Sequence, residues 1–370
     1  MCISVVLMGH LLGTRHFFPV RSWLLSIAEL GVRTFFVISG YLISTLLFKD
    51  RERIARGTLT AGQGFFRFYV RRVFRIFPAV ALLILVVVGL AVAGRVRLLP
   101  GDLLAAATFT TNFHHPRAWW LGHLWSLSVE EQFYLLWPAV VLLLGRSSAL
   151  RAAAAALVIA PLTRVVVWYA MPAWRDYTDE SFPMVFDALA TGCLLAGLRS
   201  TLDRTEVYLR FLRSPALLLV QVCVIGAALM SNHPKYDLVL GEATQNIGVA
   251  LIVDRYIRYP GTTAGRVLNS RLMVFIGSLS YSLFLWQQLF LNRHSDAWSA
   301  AFPVNLLLAF VVAFASYRLV EQPCLRFRAR HFASPAIGAA PVAATPAPLL
   351  GTGAVVEAPP AAPDPRPSGG

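Results

Sequence analysis

Charge is scarce in this chain: of 370 residues only 14% are Asp, Glu, Lys or Arg, while 57% are hydrophobic. A water-soluble domain of this size could not cover that much apolar surface with so little polar surface, so the composition points to a membrane protein. Acidic residues are scarcer still, 19 against 33 Lys and Arg, for a formal net charge of +14. That excess does not signal a nucleic-acid partner, because the arginines sit in short clusters between apolar runs rather than along one polar face. Paired cysteines are also missing. Cys2, Cys193, Cys223 and Cys324 are scattered, with no C-x-x-C pair and no His at ligand spacing, which argues against metal or redox roles and for packed thiols. No glycine-rich nucleotide loop occurs, so a bound nucleotide would be held mainly by side chains. Nor is a charged leader or small-residue cleavage site visible before the first apolar stretch, which is expected to remain as an anchor.

What the chain does have is long apolar runs. Ten segments near the ~20 residues needed to cross a bilayer fall at 1–14, 31–48, 73–94, 123–145, 149–170, 183–198, 214–231, 238–254, 272–291 and 302–320. They are continuous rather than alternating, so they predict an all-α polytopic helical bundle and not a barrel. Of the Lys and Arg residues, 22 lie at the connections after spans two, four, six and eight and at the end of span ten, against 9 in the opposite set. By the positive-inside tendency both termini are expected in the cytoplasm, with the protein in the inner (plasma) membrane. Residues 1–332 therefore read as one membrane-embedded domain. Residues 333–370 read as a cytoplasmic tail without a core, since Pro335–Gly370 holds 9 Pro, 10 Ala and 5 Gly.

Ionisable residues inside spans are costly and mark candidate sites. His10, expected in the outer half of span one, could as a neutral imidazole accept the proton of an attacking hydroxyl; the alternative is a hydrogen-bonded structural histidine. The stretch Trp125-Ser126-Leu127-Ser128-Val129-Glu130-Glu131-Gln132-Phe133-Tyr134 enters span four. Its two carboxylates lie ~100° apart on a helix, so one at most faces a given cavity. Glu130, stacked with Leu127 and Tyr134, is the expected inward one, against the alternative of an interfacial helix cap. Arg67, Arg71, Arg72 and Arg75 precede Phe77-Pro78 in span three. Arg71, Arg72 and Arg75 share one face, suited to phosphates as well as to plain anchoring on anionic lipid. Arg164 and Asp187 are expected to pair with each other or to support an acceptor site. Ser39-Gly40 would let a helix or a substrate approach closely.

In order along the chain, the segments Gly9-His10, Phe35 to Ile43, Arg71 to Pro78, Thr111-Asn112, Trp125 to Tyr134 with Trp137-Pro138, Ser280 to Trp286 and Glu321-Gln322-Pro323 resemble the membrane-bound acyltransferase-3 family. Its members O-acylate sugar hydroxyls of lipopolysaccharide, peptidoglycan, exopolysaccharide and some macrolides. The resemblance covers roughly 1–330. It implies an acyl-CoA donor, with acetyl-CoA the leading candidate, approached from the cytoplasm, and a sugar-containing acceptor approached from the other face. It implies His10 and Glu130 as catalytic residues and Arg71, Arg72 and Arg75 as donor-binding residues; in the scheme expected here Glu130 orients the imidazole or supports its charge. Ser39, Asn112, Trp125, Ser126, Arg164, Asp187 and Tyr281 become candidates for the acceptor or supporting site, with no metal and no permanently bound cofactor. An acyl-histidine intermediate is a variant of the same scheme.

The sequence departs from the family pattern in three places. Relatives carry an Arg eleven positions before the span-one His, which here falls upstream of Met1, so span one is expected to be truncated. Val185 stands where many have Arg before the Asp of span six, and Gln287 where some have His; both bear on acceptor preference. No hydrolase-like domain is expected after span ten. Rival readings are a catalytically dead scaffold member, suggested by the short start, and a secondary transporter, which predicts symmetric half-sequences that the chain does not show.

Overall fold

A computed structural model describes residues 2–18, 22–230 and 236–332, with side chains of the second helix described from Ala28 onward. The tail expected beyond 332, and the start of span one at Met1, lie outside the described residues. Among those described there are helices and no strand. They are α1 (Cys2–Leu11), α2 (Ser22–Ala55), α3 (Ala61–Val92), α4 (Asp102–Ala107), α5 (Trp119–Gly122), α6 (Leu124–Leu144), α7 (Arg146–Ala170), α8 (Phe182–Leu202), α9 (Glu206–Arg213), α10 (Ala216–Leu229), α11 (Glu242–Arg258), α12 (Thr263–Leu268), α13 (Arg271–Phe290), α14 (Val304–Ser316) and α15 (Gln322–His331).

Seven of these segments are long and apolar enough to cross a membrane: Ala28–Ala55, Ala61–Val92, Trp119–Leu144, Arg146–Ala170, Pro172–Leu202, Arg271–Phe290 and Val304–His331. An eighth results if α9 and α10, bent by 74° at their junction, form one broken span. The expected ten also included Cys2–Leu11, which has only 10 residues, and Glu242–Arg258, which has 17. At ~1.5 Å per residue the first covers about 15 Å, half of the ~30 Å hydrocarbon core. Large apolar side chains stay exposed on the bundle surface, among them Leu85, Leu135, Val158, Leu162, Leu219 and Leu307. An outward face of that kind suits acyl chains and not water; the protein is a multi-pass membrane protein.

Local sequence explains the main contacts. The long helix α3 starts from a complete capping box, the Thr60 hydroxyl accepting from Gln63 N while the Gln63 side chain accepts from Thr60 N. Along α7 the buried positions Ala149, Ala153, Ala156, Ala160, Arg164 and Val167 follow helical spacing, a stripe of small residues that lets α8 approach and then ends in a charge. The tightest crossing is between α2 and α8. A Cβ at Gly40 would run into the Leu189 carbonyl, and one at Gly192 into the Val37 carbonyl, so the two backbones touch. Gly40 thus serves helix packing, one of the two roles the sequence allowed for Ser39-Gly40. In the last span a π-helical turn, Tyr317–Glu321, links α14 to α15 and turns Glu321 into the bundle, where its carboxylate accepts from Ser282 Oγ.

Candidate active site

Glycines set the position of His10. Gly9 packs against Ala28 and Gly31 against Val6, bringing α1 onto α2 closely enough that the imidazole turns inward. There it lines a cavity of about 240 Å³ with Arg117, Trp119, His123, Trp125, Ser126 and Gln287. Its Nδ1 is buried without a hydrogen-bond partner, and its ring meets the edge of Trp119 at 6.1 Å. His10 also borders a second, more polar cavity of about 310 Å³, with Glu29, Arg33, Trp125, Asp176, Asp179, Glu180 and Arg293 on its walls.

Glu130 lies one turn deeper. It lines an apolar cavity of about 320 Å³ with Ile3, Val6, Ser126, Ser280, Tyr281 and Phe284. This cavity and the first His10 cavity share Val6, Val32, Ser126 and Phe284, so they meet across that ring of side chains. On α1, Val6 stands four residues before His10; on α6, Glu130 stands four after Ser126. Each interval is one helical turn, about 6 Å of depth. The Ser39 and Tyr134 hydroxyls face the Glu130 carboxyl and lie 2.7 Å from each other. Among the described residues no hydrogen bond or ion pair joins Glu130 to His10; the two line neighbouring cavities with a shared wall. The two carboxylates of the motif separate as helical geometry requires: Glu131 lines a different cavity, beside Arg72, Tyr69 and Gln132.

Deeper again lie the arginines of α3. They fan out instead of converging. Arg71 reaches Asp50 at 3.4 Å, the Arg72 guanidinium sits 4.9 Å over the Tyr134 ring, and Arg75 lies 5.5 Å over Tyr281 and 3.8 Å from Glu321. Arg328 of α15 adds its charge beside Arg72 and Arg75, a neighbour that sequence reading missed. Arg67 Nη1 and Arg72 Nε are buried without acceptors, so this end of the bundle holds donors with nothing in the protein to satisfy them. Tyr281 forms the partition: its hydroxyl donates to the Ile76 carbonyl at 2.8 Å, and its ring separates Arg75 from the apolar cavity.

Asn112, Arg164 and Asp187 bond other side chains of the bundle. Asn112 is fully buried and exchanges hydrogen bonds with Gln132 at 2.9 and 3.2 Å, pinning the loop after α4 to α6. Arg164 and Asp187 do pair, at 2.9 Å. They belong to a larger network: Arg164 also bonds Glu242, which in turn bonds Arg33, so two arginines and two carboxylates tie α7, α8, α11 and α2 together. A single Glu in the apolar run at 238–254 was the available signal for Glu242. On the loop before α5, Arg117 bonds Glu180 at 2.5 Å and donates to His115 Nε2 at 2.9 Å. Burial and the Arg117 charge push the His115 imidazole below its usual value, with Glu180 opposing.

The family model described as the acyltransferase domain matches residues 1–318, nearly all of the described bundle. The chain belongs to the membrane-bound acyltransferase-3 family. Among its curated relatives, the O-acetyltransferase OatA of Staphylococcus aureus (strain NCTC 8325 / PS 47) is 28% identical over 340 residues, covering 80% of this chain and 52% of that protein. A putative O-acetyltransferase of Staphylococcus aureus (strain COL) is 27% identical over 337 residues, covering 82% of this chain and 53% of that protein. This acyltransferase-3 chain therefore spans about half the length of the curated relatives it matches. No solved structure matches it.

Proposed function

We propose that this chain transfers an acyl group, acetyl in the first instance, from acyl-CoA to a hydroxyl of a cell-surface polysaccharide or other glycan, in the plasma membrane. One arrangement supports the reading: the apolar cavity that Glu130 and Tyr281 line shares Val6, Val32, Ser126 and Phe284 with the His10 cavity, and Arg75 lies against the other face of the Tyr281 ring. Arg67 and Arg72 suit the phosphates of coenzyme A, because forked guanidinium donors without protein acceptors match phosphate oxygens, and Arg75 and Arg328 add positive charge beside Arg72. The pantetheine arm then displaces the Tyr281 ring, enters the apolar cavity and delivers the thioester to the level of Ser126. There the acceptor oxygen attacks the thioester carbonyl carbon; the new C–O bond forms as the C–S bond breaks. His10 takes the hydroxyl proton and returns it to the departing thiolate. Glu130, on the cavity wall beside the Ser39 and Tyr134 hydroxyls, holds the polar contacts for the donor's thioester end. The names of the curated relatives favour acetyl as the acyl group and an O-linked product.

The test is to supply labelled acetyl-CoA to membranes with and without the protein and identify the glycan that gains mass. His10→Ala should abolish transfer while expression and helix content stay unchanged. Wild-type turnover by His10→Ala would end the proposed role of the imidazole.

A further inference from the structure

The cavity beside His10 contains more unused hydrogen-bonding capacity than proton transfer requires. His123, at the junction of α5 and α6, is 6% exposed, and neither of its ring nitrogens has a hydrogen-bond partner. The Leu285 carbonyl faces the ring but outside hydrogen-bond geometry. Gln287 of α13 is fully buried, and both its Oε1 and its Nε2 are likewise without partners. Gln288 is held by its Nε2, which donates to the Trp119 carbonyl at 2.8 Å, leaving its Oε1 open. Buried amides and imidazoles without partners cost stability, because their lost bonds to water are not replaced. Several of them lining one cavity mark a place where a ligand supplies the missing bonds.

The chemistry of that ligand follows from the same groups. Among the described residues no carboxylate lines the cavity, and the one arginine there, Arg117, is already bonded to Glu180. What remains is a set of neutral donors and acceptors, with Trp119 and Trp125 as apolar flanks. At about 240 Å³ the space lies below the roughly 300–1,000 Å³ of pockets for drug-sized ligands, so it takes one small ring and not a long chain. We propose that His123 and Gln287 form an acceptor subsite that hydrogen-bonds the hydroxyls of a single uncharged sugar ring and presents one of them to His10. This rests on the acyl-transfer reading above and adds to it the residues that hold the acceptor and the charge state of the sugar they select.

The experiment uses the full chain in detergent, labelled acetyl-CoA as donor and a solubilised cell-envelope glycan fraction from the cells that make the protein as acceptor. Gln287→Leu and His123→Phe conserve shape and remove the polar atoms. Each should raise the KM for the glycan roughly three- to ten-fold, the range for one neutral hydrogen bond. The KM for acetyl-CoA and kcat should stay within about two-fold of wild type. Because these atoms have no protein partner, the melting temperature should hold or rise. An unchanged glycan KM in both variants overturns the subsite, as does a raised acetyl-CoA KM, which would make this the donor's cavity. A fallen melting temperature in both also overturns it, by showing that the two side chains hold the fold. Absence of any label transfer by the wild-type chain would overturn the acyl-transfer reading itself, and the subsite with it.

Discussion

Replacing Arg164 by Met separates two readings of the charge network between α2, α7, α8 and α11. Arg164 is fully buried and bonds both Asp187 and Glu242, while Glu242 keeps Arg33 as a second partner. Methionine fills much of the same space but leaves two buried carboxylates facing one guanidinium. Removing one partner of a buried pair costs about 3–5 kcal/mol, chiefly because the other charge is left without compensation. With ~2.1 cal/mol/K of unfolding entropy per residue, a bundle of this size should lose on the order of 5 °C in melting temperature. Changing Arg164→Met and Asp187→Leu together removes one charge of each sign and leaves the Arg33–Glu242 pair neutral, so the double variant should recover part of that loss. The assay is thermal unfolding of the detergent-solubilised protein, read beside acetyl transfer at a temperature where every variant is folded. At that temperature transfer should persist, since neither Arg164 nor Asp187 lines the cavities around His10 and Glu130. A variant that melts like wild type but transfers nothing would refute the structural assignment and put Arg164 in the chemistry.

Three further outcomes are expected. Gly192→Ala places a Cβ against the Val37 carbonyl, where backbone must move, and should cost at least the ~1–3 kcal/mol of ordinary overpacking, read as lost folded yield in membranes. His115 has a lowered folded-state pKa, so the unfolded chain binds its proton first as pH falls; stability is lost on acidification from about 6.5, the unperturbed value, down to the folded pKa. His115→Gln should therefore narrow the gap between melting temperatures at pH 7.5 and 5.5, and an unchanged gap would refute it. Arg328→Gln should raise the acetyl-CoA KM about ten-fold, as for loss of one charge-assisted bond to phosphate, with the glycan KM unmoved.

Where one helix decides the matter, the sequence is enough. The separation of Glu130 from Glu131 follows from 100° per residue, and the alanine stripe of α7 carries Arg164 toward α8 by spacing alone. Relations between helices are less legible. Hydropathy does not set the depth of α1 against α6, so the one-turn offset between His10 and Glu130 emerges only from packing at Gly9 and Gly31. The arginines of α3 share a face on a helical wheel, but each guanidinium is directed by a partner on a different helix: Asp50, Tyr134, or Tyr281 with Glu321. His123 escaped notice because it stands at a break between two helices, just before the motif begins. Glu321 was visible as part of a motif, but its inward turn depends on a π-helical register that composition does not announce.

The crossing of α2 and α8 at Gly40 and Gly192 bears on how substrates get in. Two main chains in direct contact can neither slide nor part without losing that fit along its length, so this side of the bundle behaves as a fixed jamb. The apolar cavity beside Glu130 leans on the same helix, through Phe35, Ile38 and Leu42 of α2, so one of its walls is held in place by that crossing.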